Sequence, residues 1–366
     1  MGILRSALSA VSALVPQAAR ADKPAVIEVE TVGTAPDGTE LIQYTLTQEN
    51  GLQARFLNYG AALTALVLPD GTNVVARLPK PEDYLENPAF IGSTIGPIAN
   101  RLKDGSFELN GKTYHIAPND GRNVLHGGAQ GYHTQYWQGQ VEDDVDGPYL
   151  RLSLFSEDRK RGYPSDCWAH LEIRLTASTL RIDMCAQVTT NSYINMTTHP
   201  YFNPTGKFDQ PINDLILWCE GMPIAVDTEG LPDVGQDADP SLRLIDHKPI
   251  GERVIDNHYE VYATRPHEDR SIPSLLATLT DHERYIYIHS DAPGLQIFTA
   301  DTLPDIPGII PRGAVALEPQ SLPNHVSVHT DGTVHGRASQ LTDFNRPFRR
   351  TIAYRIAGPG LPELPG

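Results

Sequence analysis

Four short segments of the 366-residue chain set ionisable side chains beside glycine, proline or aromatic residues. They are Gly96-Pro97-Ile98-Ala99-Asn100-Arg101, Val124-Leu125-His126-Gly127-Gly128, Thr198-His199-Pro200-Tyr201-Phe202-Asn203 and Leu317-Glu318-Pro319-Gln320. An imidazole such as that of His199 titrates near neutrality and can deliver a proton, whereas a solvated Glu318 is ionised and can accept one. Brought to one ligand, the two suit general acid–base chemistry that needs neither cofactor nor metal. Singly, each residue has a plainer reading. His126 and His199 suit strand ends, Glu318 a charged sheet edge, and Arg101 a surface ion pair. Asp256 and Gln296 suit backbone-satisfying roles at turns and strand ends.

Other chemistries lack their signatures. There is no G-x-G-x-x-G after a strand, no phosphate-binding G-x-x-x-x-G-K-[ST] and no G-x-S-x-G elbow. His282-Glu283 begins like a zinc helix, but Ile286 stands where the second histidine belongs and the segment reads as strand. Cys167, Cys185 and Cys219 are too few and too widely spaced for a disulfide framework or a zinc ribbon, so they read as buried thiols. A formal charge of −16 repels a phosphate backbone and disfavours nucleic acid as a partner. No apolar run approaches the roughly 20 residues of a membrane span.

The elements that would position these residues read as short strands from about Ile27 onward, punctuated by turns at the spacing of an all-β sandwich or barrel. Pro69-Asp70-Gly71-Thr72 predicts a hairpin between 62–68 and 73–78. Asn110-Gly111 predicts a tighter one between 106–109 and 112–116, with Phe107 opposite Tyr114. Further strands are expected at 149–155, 168–175, 180–189, 285–289, 295–300 and 313–320. The stretch 227–253, rich in aspartate and proline, reads as a surface excursion able to rim a cleft. The 30 prolines and 30 glycines are spread among these runs, which predicts one domain over 25–366. Residues 1–24 form an N-terminal extension. Within it, Arg5, the apolar stretch 7–15 and Ala19-Arg20-Ala21 resemble an export signal. Ile3, Leu4 and Pro16-Gln17 break that pattern and favour a cytoplasmic protein, with a periplasmic or secreted one as the alternative.

Taken in order from about Leu57 to Pro323, the segments resemble the aldose 1-epimerase family of the galactose mutarotase type. That resemblance implies a large antiparallel β-supersandwich with a free hexose, galactose or glucose, in an open cleft. It implies His199 as general acid, Glu318 as general base and His126 as a histidine beside the ring oxygen. Asn100, Arg101, Asp256 in Ile255-Asp256-Asn257-His258-Tyr259, and Gln296 in Pro293-Gly294-Leu295-Gln296 would bind hydroxyls, and Tyr201 would pack against a sugar face. The chain departs from the family pattern at Pro97 (arginine in many relatives), Thr198 (asparagine) and Pro319 (threonine), and none of these changes removes an ionisable catalytic group. The expected partner is a small aldose, bound by a monomer or homodimer. A non-catalytic sugar-binding protein, a phosphosugar epimerase and a glycoside hydrolase remain alternatives at this point.

Overall fold

The computed structural model describes residues 24–233, 235–261, 273–325 and 341–362. The features read as an export signal lie outside the described residues. The chain folds as antiparallel β-structure, and the burial pattern of its long strands shows why. Cys167–Leu175 and Thr179–Val188 alternate buried with half-buried or exposed positions, as a strand with one face on a core must. Leu171, Ile173, Leu180 and Ile182 point inward. On the opposite face Arg151 pairs with Glu172 at 2.7 Å and Arg181 with Asp183 at 2.7 Å.

These strands lie in an eight-stranded sheet ordered Gln138–Asp144, Gly147–Ser156, Cys167–Leu175, Thr179–Val188, Phe348–Ala357, Tyr285–Ser290, Ser274–Thr280, Ile216–Cys219. The C-terminal strand therefore inserts in the middle of the sheet. A four-stranded sheet is built from Val26–Thr34, Glu40–Thr47, Gln53–Leu57 and Ala62–Val67. A five-stranded sheet has the order Tyr201–Phe202, Val315–Gln320, Gly294–Phe298, Asp256–Glu260, Met222–Pro223. One cluster of buried apolar residues joins all three, taking Phe56 and Leu66 from the second, Ile182, Ile286 and Tyr354 from the first, and Ile297 and Leu317 from the third. Each such side chain contributes about 1.5–3 kcal/mol on full burial. The result is a β-sandwich whose five-stranded layer is buried along nearly its whole length and can carry enclosed polar groups.

The tighter predicted hairpin forms as expected. Asn110 and Gly111 take φ of 52° and 72°, as a type I′ turn requires. Phe107 pairs with Tyr114, their rings stacked at 5.7 Å. The other hairpin is only half realised. Its turn closes through Leu68 N–H to the Thr72 carbonyl, but the return arm changes partner after Val74: Val75 bridges Phe202, and Ala76 N–H donates to the Tyr201 carbonyl. The Asn73 side chain accepts from Leu66 N–H and donates to the Val75 carbonyl, so it occupies positions a continuing ladder would use. His282 and Glu283 lie in the turn between two strands, not within a strand. All three cysteines are free and buried. Among the described residues no helix is long and apolar enough to cross a membrane.

Candidate active site

Strand register assembles half of the site. Gln296 lies directly opposite Glu318, Asp256 opposite Phe298, and Tyr201 opposite Ala316. Directly paired residues share a face, as do residues two apart on one strand, so Tyr201, Glu318, Gln296 and Asp256 project from the same side of the five-stranded sheet. His199 precedes Tyr201 by two positions and joins them. Its Nε2 stands 3.4 Å from Oε1 of Glu318.

The other half comes from two short segments clasped together. Asn100 and His126, both at positive φ (61° and 52°), pair through two bonds: Asn100 N–H donates to His126 Nδ1 at 3.1 Å, and His126 N–H donates to the Asn100 carbonyl. The first glycine after His126 has a steric purpose, because a Cβ on Gly127 would lie 2.2 Å from the Gly96 carbonyl oxygen. The His126 and His199 rings meet edge to face at 5.2 Å, and one ligand-capable atom of each falls within 4.8 Å of the others and of Glu318. That spacing resembles a metal triad, yet the donor chemistry opposes one. Accepting a backbone N–H at Nδ1 leaves the proton of neutral His126 on Nε2, where it donates rather than ligates, the reverse of the usual histidine–metal arrangement.

Arg101 is held by Asp120, its Nε 2.9 Å from Oδ2, and approaches Asp256 at 3.9 Å. Gln296 Nε2 donates to Asp256 Oδ1 at 2.8 Å. The 227–253 excursion reaches this corner: Gly230 stands at φ of 72°, and a Cβ there would lie 2.6 Å from Arg101 Nη1, so a larger residue would displace the guanidinium. Leu231, Leu244 and Ile250 anchor the loop in the core. Asp120 carried no signal in the sequence beyond an ordinary Asn-Asp-Gly turn. We predict that Asp120→Asn raises KM about threefold to fivefold with a smaller effect on kcat, since it loosens a partly exposed pair. Steady-state rates at varied substrate concentration check this.

Burial changes the electrostatic expectation. Glu318 is 2% exposed rather than solvated, and desolvation pushes its pKa well above the usual carboxylate range. His199 is equally buried, and desolvation lowers it to about 4. His126 is lowered as well, first by burial and then by His199 and His133. Tyr201 packs on His199 with ring centroids 5.0 Å apart, and its hydroxyl donates to the Ala89 carbonyl at 3.0 Å, so the ring steadies the imidazole.

Glu318 Oε2, His199 Nδ1 and Gln296 Oε1 are buried without hydrogen-bond partners. Buried polar atoms are rarely left so unless something else satisfies them. A ligand rich in hydroxyls would, since each hydroxyl both donates and accepts.

The family model described as Aldose 1-epimerase matches residues 43–335 of the chain. The aldose 1-epimerase of Escherichia coli K12 is 28% identical over 315 residues, covering 81% of this chain and 90% of that protein. The galactose mutarotase of Sus scrofa is 26% identical over 311 residues, with the same coverage of 81% and 90%. In fold, the chain is similar to a crystal structure of galactose 1-epimerase from Lactobacillus acidophilus NCFM, with a TM-score of 0.78 at 24% identity over 91% of this chain and 99% of that one.

Proposed function

Because this chain belongs to the aldose 1-epimerase family and is accordingly an isomerase of sugars, we propose that it interconverts the α and β anomers of a free hexose by acid–base ring opening. The observation that carries this reading is the buried His199–Glu318 pair, 3.4 Å apart and framed by Asn100, Arg101, His126, Asp256 and Gln296. In this reading Glu318 takes the proton of the anomeric hydroxyl as C1–O1 becomes a carbonyl. The C1–O5 bond breaks, and its electron pair stays on O5, which receives the proton of His199. Rotation about C1–C2 presents the other carbonyl face. Returning both protons recloses the ring as the opposite anomer.

The burial of the pair supplies a physical role for the enclosure. Ring opening starts from carboxylate and imidazolium and ends with carboxylic acid and neutral imidazole. A site that penalises charge favours the uncharged pair, and that is the proton arrangement of the open-chain state. Coulomb attraction across 3.4 Å and sugar hydroxyls on Glu318 act in the opposite direction, favouring the charged pair. The enclosure, rather than the ordinary acidity order of the free side chains, therefore sets the balance between the two proton arrangements. His126, with its proton on Nε2, is placed to hydrogen-bond at the ring oxygen. Asn100, Arg101, Asp256 and Gln296 supply groups to hold the remaining hydroxyls.

Polarimetry tests the proposal. Fresh α-D-glucose or α-D-galactose should lose its excess rotation faster with the protein present, after subtraction of the spontaneous rate. A purified, folded protein that binds neither sugar or accelerates neither would end this reading.

A further inference from the structure

We propose that Phe90 is a specificity-determining residue that walls off the ring-oxygen side of the sugar site and excludes aldoses carrying a bulky substituent at C6. The inference deepens the function proposed above and rests on it.

Phe90 stands where three histidines meet. Its ring packs edge-on against His126 at 4.6 Å and His133 at 4.8 Å, and lies 6.0 Å from His199. Its backbone has φ of 56°, a left-handed conformation that bulky side chains rarely adopt. The surrounding chain holds it there. Asn87 accepts from Ile91 N–H through Oδ1 at 2.9 Å and donates through Nδ2 to the Ile91 carbonyl and to Ser93 Oγ. Phe90 N–H donates to the Asn87 carbonyl, and Ser93 N–H to the Phe90 carbonyl. With its backbone held in this way, the Phe90 ring stands as a wall beside His126 of the site and against His133.

The chemistry of the pair indicates which part of the sugar meets that wall. O1 belongs at Glu318 and O5 at His199 and His126. C5 is the other neighbour of O5, so its C6 substituent leads away from Glu318, along the side that Phe90 closes. Phe90 also lines a surface cavity of about 410 Å³, together with Glu86, Asn87, Asn119 and His133. That volume falls within the range of about 300–1,000 Å³ typical of small-ligand pockets. No lysine or arginine is among its lining residues, and Glu86 is acidic, so the space suits a neutral substituent and repels a phosphate. Phe90 thus touches both a histidine of the site and a space able to take a second neutral ring.

The test compares glucose with isomaltose, a glucose bearing a second glucose on O6, in wild type, Phe90→Ala and Phe90→Leu. Wild type is expected to favour glucose in kcat/KM by at least about tenfold, and Phe90→Ala to narrow that ratio by about tenfold. Phe90→Leu, which keeps an apolar side chain of shorter reach, shifts the ratio the same way by less and covers the case in which the alanine variant does not fold. Wild type that takes isomaltose as readily as glucose, or a ratio unchanged in the folded variants, overturns the proposal. Wild type inactive on every free aldose would instead overturn the function on which it rests.

Discussion

Glu318→Gln is expected to lower kcat by about 10²–10⁴-fold while KM stays within a few-fold, because the amide keeps the shape and hydrogen-bonding reach of the side chain but takes no proton. The same substitution should raise thermal stability. Burial lifts the folded-state pKa of Glu318 above its unfolded value, so the unfolded chain gives up that proton more easily. Stability is then lost as pH rises above the unfolded value, and at neutral pH the wild type carries this cost. Glutamine carries no such cost. Loss of rate together with a higher melting temperature at pH 7 separates a functional carboxylate from a structural one, whose removal leaves the melt unchanged or lower. Full activity in the folded variant would remove Glu318 from the mechanism.

How much of this could be read beforehand depended on the range of the physics involved. The Asn110-Gly111 turn was legible because its φ requirement is met by two adjacent residues. The strands of the eight-stranded sheet were legible because a half-buried strand writes a period of two into its own residues. The arm that follows Pro69-Asp70-Gly71-Thr72 is not legible beyond Val74, since the Asn73 side chain takes ladder positions and Val75 pairs with Phe202, more than a hundred residues away. The ionisable residues of the site came from their motifs, but their burial did not. Nothing local to Leu317-Glu318-Pro319 states that both faces of its strand will be covered, and so Glu318 read as solvated. Asp120, Phe90 and Gly230 were invisible for a related reason. Each acts through a neighbour that only the tertiary fold supplies: Arg101 for Asp120 and Gly230, the histidine cluster for Phe90.

His199→Asn should be as damaging as Glu318→Gln, about 10²–10⁴-fold in kcat, and its pH profile is the sharper test. In the wild type, burial holds His199 down to about 4 and Glu318 well above its ordinary value, so between those limits the pair shares one proton. Below about 4 a second proton arrives and no base remains. Above the raised value of Glu318 the last proton leaves and no acid remains. Activity is therefore expected as a bell, falling on the acid side near 4 and on the alkaline side through the Glu318 ionisation. Without His199 only the carboxyl titrates. Residual activity should then rise with pH through the Glu318 ionisation and show no alkaline fall. Glu318→Gln should do the opposite, its residual activity declining as pH rises through about 4 and His199 loses its proton. The two variants should thus diverge in the sign of their pH dependence once spontaneous mutarotation is subtracted. Parallel profiles would mean that these side chains do not divide the acid and base steps between them.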